Sequence, residues 1–147
     1  MDAPRLGYLL KRAHLGFGAL VSEALDPLGI DNREWAVLIS LDDRQPRSQA
    51  ELATLIGIDR TTMVALLDSL QRKGLVDRRP HADDRRKNVI EITASGRDLR
   101  KRAARTVDAV ERRFLAVLGE DEAARLRAAL GAVIAPHEPP PDRPDPP

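Results

Sequence analysis

Apolar positions recur at three- and four-residue spacing from the start of the chain. Leu6, Leu9, Ala13, Phe17, Leu20 and Ala24 form one stripe, which predicts an amphipathic helix ended by "DPLG". Asp31 and Glu34 have capping-box spacing and open a second helix, "REWAVLISL", which "RQP" breaks. Ser48 and Glu51 repeat the device ahead of "QAELATLI", and Gly57 stops that helix. Asp59 then caps "RTTMVALLDSLQRK", which Gly74 terminates. In this fourth helix Met63, Leu66, Leu67 and Leu70 fall on the side expected to face the core. Two helices joined by a tight glycine turn read as a helix-turn-helix.

The period then changes to two. "LVDRR" and "VIEIT" read as paired strands, with Ile90 and Ile92 on one face and Val89, Glu91 and Thr93 on the other. The connection from Pro80 to Asn88 is too long for a minimal turn, so it projects. A helix-turn-helix followed by a projecting hairpin is a winged helix, with this loop as the wing. Farther on, Leu99, Ala103, Thr106, Val110, Phe114 and Val117 recur with near-heptad spacing, a stripe suited to a partner helix. "GEDEAARLRAALGAVI" reads as a last helix with acids in its first turn. The terminal helices flank a core too small to bury both, which predicts a homodimer. The fold class is therefore mainly α with a small β-hairpin wing. The expected organisation is an N-terminal dimerisation helix in 1–30, a winged helix-turn-helix in 31–93, C-terminal dimerisation helices in 94–135 and a disordered Pro-rich tail in 136–147.

Composition narrows the class. The chain has 147 residues, 3% aromatics and no cysteine, which suits one domain with an aliphatic core and excludes disulfide and thiol chemistry. Neither a secretory apolar segment nor an 18-residue uncharged apolar run occurs, so the expectation is a cytoplasmic protein with no membrane partner. The net charge of +1 hides an asymmetry. Arg60 to Arg105 holds 13 Lys and Arg against 6 Asp and Glu, a net +7; the remainder holds 11 against 17, a net −6. A basic block in an otherwise acidic chain is the footprint expected for a polyanion. A solvated charged face is the plain alternative.

The run "LLDSLQRKGLVDRRPHADDRRKNVIEITASG" resembles the MarR family of bacterial transcription regulators. It carries the end of a recognition helix, a "KGLV" strand entry, an Asp-x-Arg wing in Asp84-Arg85-Arg86, and a strand-to-helix T-x-x-G in Thr93 to Gly96. Ile92 stands where Leu is usual. The resemblance covers roughly Leu6 to Ile134. It implies a homodimer on pseudo-palindromic double-stranded DNA, usually a repressor, often released by a small aromatic or anionic ligand.

The residues themselves assign roles within that frame. Arg86 is the expected wing tip, reading the negative minor groove, with Asp84 holding its guanidinium or a neighbouring one. Arg85 and Lys87 are expected at phosphates. Arg78 and Arg79, at the wing base, are expected either at phosphate or bridging to Asp77, Asp83 or Asp84. Arg60, Thr61 and Thr62 stand in the first turn of the recognition helix, where backbone amides and short side chains meet DNA. Ala65 and Ser69 continue that face. Val64-Ala65 replaces a Thr-Arg pair common in the family, removing a candidate guanine contact and offering methyl contact to thymine. Ser48 and Gln49 open the preceding helix, where phosphate contact and simple capping are alternatives. A ligand pocket is expected near His14, Phe17 and Trp35, although Trp35 on an aliphatic helix is more often core and His14 more often a polar dimer-interface or surface residue.

Enzymatic readings find little support. His14, His81 and His137 lie on separate elements without metal-ligand spacing, and no phosphate loop or nucleophile elbow is present. The expectation is a non-enzyme without cofactor or metal. The alternatives are a winged-helix protein-interaction module, or a DNA-binding activator without a small-molecule effector.

Overall fold

The computed structural model describes residues 3–41 and 43–137. It divides into two compact units, residues 1–110 and 111–147. In the first, α1 (Leu6–Leu25) leads through a 3-10 turn to α2 (Asn32–Ser40), then to the two-residue β1 (Arg47–Ser48), α3 (Gln49–Ile56) and α4 (Arg60–Arg72). The hairpin β2 (Val76–Pro80) and β3 (Asn88–Ile92) follows, and then α5 (Ala94–Leu115). A 3-10 turn at Ala116–Leu118 precedes α6 (Glu120–Ile134). This is the winged-helix arrangement that the polar and apolar periods predict. Among the described residues, no helix is long and apolar enough to cross a membrane.

Local chemistry sets the boundaries. Asp31 accepts hydrogen bonds from the Arg33 and Glu34 amides, and Glu34 accepts from the Asp31 amide, completing the first capping box. Ser48 and Glu51 make the second. Gly57, at φ +75°, closes the turn between α3 and α4 in a left-handed conformation that side-chain-bearing residues rarely adopt. Thr93 Oγ1 accepts the Gly96 amide at 3.0 Å and donates to the Gly74 carbonyl at 2.7 Å. A Cβ on Gly96 would lie 2.1 Å from the Leu75 carbonyl oxygen. The Thr-x-x-Gly sequence is thus a cap plus a close approach of α5 to the hairpin entry.

The sheet corrects one expectation. β1 pairs antiparallel with β3, matching Arg47 with Ile90 and Ser48 with Val89, so β3 is central in the order β1-β3-β2. Val89 is consequently buried like Ile90 and Ile92, and the inward-outward alternation expected for β3 fails there. A two-residue strand leaves no periodic signal in the sequence.

The core joins Val21 and Leu25 of α1, Val37 and Leu38 of α2, Leu52 of α3, Met63, Leu66, Leu67 and Leu70 of α4, the hairpin residues Val76 and Ile90, and Ala103 of α5. The α1 stripe is used differently from its pattern. Leu6, Leu9 and Ala13 are exposed, while the fully covered positions, Val21 and Leu25, lie off the predicted line. On α5, Leu99, Ala103 and Val110 pack into this core, so that part of the stripe serves the chain's own interior. Val117 lies in the following 3-10 turn and not on the helix. In the second unit Ala123 is buried and Arg127 pairs with Glu111. Pro136 and His137 belong to a 3-10 turn at Ala135–His137, not to the expected tail, whose remaining residues, 138–147, lie outside the described part.

Glu34 is the only buried charged residue among those described, with 3% of its surface exposed. Its carboxylate accepts from Lys73 Nζ at 2.7 and 2.8 Å, Ser69 Oγ at 2.7 Å and the Asp31 amide at 3.0 Å. Lys73 also donates to the Gly29 carbonyl at 2.8 Å. Burial pushes the carboxyl's pKa up, but the hydrogen bonds from Lys73, Ser69 and the Asp31 amide, with the charge of Lys73, outweigh it and hold the group below the ordinary glutamate range. A carboxyl whose pKa is depressed by folding adds stability above its unfolded pKa, and that stability is lost as pH falls through the folded value.

Lys73→Met should therefore cost about 2–3 kcal/mol at neutral pH, less than a fully buried pair because Lys73 reaches solvent. Glu34→Gln, which removes the buried charge itself, should cost about 1 kcal/mol. Urea unfolding of each variant tests this. The Lys73→Met deficit should shrink toward acid pH, where the stranded carboxyl is protonated; a deficit independent of pH would contradict the role of charge.

Candidate nucleic-acid interface

The outward face of α4 is set by its cap and by what its inner face buries. Asp59 accepts the Thr62 amide at 2.9 Å and the Thr62 hydroxyl at 2.6 Å, and these bonds hold the Asp59 carboxyl below its ordinary pKa. Arg60, Thr61, Val64 and Ala65 are left exposed on the side opposite Met63, Leu66 and Leu67. Two predicted contact residues turn elsewhere. The Thr62 hydroxyl is part of the cap, and Ser69 is half-buried and donates to Glu34. At this point in the helix a rotation of one position carries Ser69 from the outer face to the α2 side. Val64 joins the exposed set, at 39% exposure, as an apolar branched side chain.

The wing is held at its base and at its tip. Arg78 of β2 reaches back to α4, donating to Asp68 at 2.7 Å and to Gln71 at 2.6 Å. This replaces the expected bridges to Asp77, Asp83 or Asp84. Arg79 Nε lies 3.0 Å from Glu91 across the hairpin. At the tip, Asp84 Oδ1 accepts the backbone amide of Arg86 at 3.0 Å, and the Lys87 amide donates to the Asp84 carbonyl at 3.0 Å. The His81 amide donates to the Lys87 carbonyl, closing the loop. The brace expected between Asp84 and an arginine guanidinium is therefore a backbone turn of the Asx kind. Arg85, Arg86 and Lys87 project exposed around it.

Three of the six carboxylates within the basic block are engaged by the protein itself: Asp68 by Arg78, Glu91 by Arg79, and Asp84 by the wing backbone. The exposed side chains of the recognition turn and wing tip are left with a positive excess. Ser48 acts as the cap of α3, and Gln49 beside it is half-buried. Sequence reasoning misses the Asp68–Arg78 tie because the two residues are ten apart and meet only through the turn at Gly74. An arginine on the strand just after a helix bearing Asp and Gln one turn apart is the signal that could reveal it.

The expected ligand trio lies on α1 and α2. Phe17 and Trp35 pack against the core, while His14 is exposed on α1. A groove of about 570 Å³ is lined by other residues, Ile39, Ser40, Leu41, Arg47 and Leu55.

Comparison with known proteins agrees with this geometry. A sequence model described as the MarR family matches residues 28–87, from the turn before α2 to the wing tip. The reduced form of MarR from E. coli superposes with a TM-score of 0.82 at 26% identity, over 91% of this chain and 99% of that one. The transcriptional repressor CouR, bound to a 23-mer DNA duplex, gives 0.80 at 35% identity over 88% and 92%. CouR from Rhodococcus jostii RHA1 bound to p-coumaroyl-CoA gives 0.78 at 31% over 92% and 97%.

Because the Asp84 brace acts through the backbone, the amide of Asn can replace it. Asp84→Ala should weaken double-stranded DNA binding, since the loop then orders only on contact. Asp84→Asn should bind as tightly as the parent or tighter, keeping the turn and losing a negative charge. Fluorescence anisotropy titrations at one salt concentration compare the three. Equal weakening by both substitutions would show that the carboxylate's charge, not its turn, is what matters.

Proposed function

The chain belongs to the MarR family of transcriptional regulators, and from that premise we propose that it is a homodimeric repressor binding a pseudo-palindromic operator. The observation that carries this reading is the exposed basic set of Arg60, Arg85, Arg86 and Lys87, presented by a capped helix and a braced loop, with Asp68 and Asp84 beside them already engaged. The first turn of α4 lies in the major groove and Arg86 enters the adjacent minor groove. Phosphates are met by Arg85, Lys87 and the opening of α3. Base reading leans on Arg60 and Thr61, with Val64 and Ala65 against thymine methyl groups.

Dimerisation is supported by apolar residues that each unit leaves uncovered. On α1, Leu6, Tyr8, Leu9, Leu10 and Leu15 are exposed; on α6, Val133 and Ile134 are. Exposed apolar surface of this extent on a monomer marks an interface. Two recognition helices one DNA turn apart then select half-sites separated by about 10 bp. A small ligand releases the operator only by preferring a dimer with a different spacing. The p-coumaroyl-CoA complex of CouR supports an effector of aromatic, anionic character. Nothing in this reading calls for catalysis.

Footprinting on the DNA upstream of the coding region tests the function directly: a protected pseudo-palindrome supports it, and no shift of any double-stranded DNA at low salt would leave a protein-interaction module as the better reading. Sedimentation should give about twice the 16.2 kDa chain mass. Arg86→Ala should weaken operator binding by roughly 1–3 kcal/mol with folding unchanged. The slope of log K against log salt should flatten by about one for each phosphate that the substitution leaves unneutralised.

A further inference from the structure

Of the three histidines, His81 stands where the hairpin ladder gives way to the wing loop. Pro80 and Asn88 are the last paired residues of β2 and β3, and the His81 amide, donating to the Lys87 carbonyl at 2.8 Å, carries the pairing one step further. The His81 backbone is thereby fixed. Its half-buried side chain then turns the loop: Nδ1 accepts the Asp83 amide, two residues on, at 3.1 Å. At the same spacing Asp84 accepts the Arg86 amide, so the tip is built from two successive side-chain turns. No other hydrogen bond or ion pair involves Ala82 or Asp83 among the described residues. The first turn therefore rests on the imidazole as the second rests on the carboxylate.

A backbone amide can only donate, so the ring nitrogen that faces it must carry a lone pair. We propose that His81 is a positioning residue for DNA binding, one that orders the first half of the wing only while its Nδ1 is unprotonated. Imidazole is the side chain that gains a proton between about pH 8 and about pH 5. A proton on Nδ1 sets donor against donor at the Asp83 amide, and the turn opens. The Asp84 turn contains no imidazole and stays closed. In the neutral ring the proton sits on Nε2, which has no partner among the described residues and reaches solvent. The nearest charged groups are Asp83, Asp84, Arg85, Arg86 and Lys87 in the loop, with Arg79 on β2 and Glu91 on β3, which pair with each other. None of them forms an ion pair with the ring. This role rests on the operator reading, because a loop ordered in advance loses less entropy when it meets DNA.

Two measurements on the full chain test this. Without DNA, nitrogen NMR of the imidazoles and amides should find neutral His81 in the Nε2–H tautomer, its signals assigned by their loss in His81→Asn. The Asp83 amide should be rigid at about pH 8 and mobile at about pH 5, with the Arg86 amide rigid at both. In His81→Asn the side-chain carbonyl accepts two residues on without titrating, so Asp83 should stay rigid at both. With DNA, anisotropy titrations on the footprinted operator are compared at about pH 8, where the ring adds no charge of its own. His81→Asn should bind within about twofold of the parent, and His81→Ala roughly three- to tenfold more weakly. An Nδ1–H tautomer, an Asp83 amide equally ordered at both pH values in the parent, or parent-like binding by His81→Ala would each overturn the role. So would equal weakening by both substitutions, which would make the ring a DNA contact and not a turn former. If the parent bound no DNA, the operator reading would fall, and the DNA-free measurements would separately show whether the turn exists.

Discussion

The Glu34 carboxylate, buried between α2 and the end of the recognition helix, is the constraint on which the DNA-facing geometry depends. It is the third residue of α2, where a local rule puts an acid to complete the cap with Asp31. The same oxygens then reach 35 residues along the chain to Ser69 and 39 to Lys73. A group whose position is dictated by helix initiation thereby locks the far end of α4. Left without these partners, a buried charge would be expelled or neutralised; with all of them it permits one orientation of α4 against α2. Lys73 extends the tie to the Gly29 carbonyl at the turn before α2.

From that fixed helix the wing is built outward by a second charged contact. Arg78 carries the position of α4 into β2 through Asp68 and Gln71, and β3, held on both sides by β1 and β2, carries it to the wing. At the tip the Asp84 turn orders the loop backbone without occupying a guanidinium. Half of the acids within the basic run are engaged in these contacts and in the Arg79–Glu91 pair. Asp68, Asp84 and Glu91 shape the surface, and the exposed arginines and lysine supply its charge.

Much of this is legible in the sequence because helix initiation and termination are local. The pairs Asp31/Glu34 and Ser48/Glu51, the Asp59 cap and the glycine stops at Gly57 and Gly74 act over a few residues, so they bound the helix-turn-helix closely. The inner face of α4 follows from its 3.6-residue period. The features that stay hidden are non-local. β1 is too short to show a period, so the burial of Val89 has no signal in the alternation of β3. Ser69 falls on the outward side by period alone, because a carboxylate 35 positions earlier leaves no mark on that period. The hydrophobic stripe of α1 does not reveal which of its residues the chain covers itself. The Asp68–Arg78 contact depends on how the hairpin folds back on α4.

Paired acids hold the DNA-binding surface in shape, and Asp68→Asn tests that most directly, since it removes a negative charge from the recognition helix while leaving the side chain's size unchanged. Operator affinity, read by fluorescence anisotropy, should fall, because Arg78 loses its ionic partner and the wing base loosens against α4. Tighter binding, as simple charge counting demands, would contradict this role for the acids.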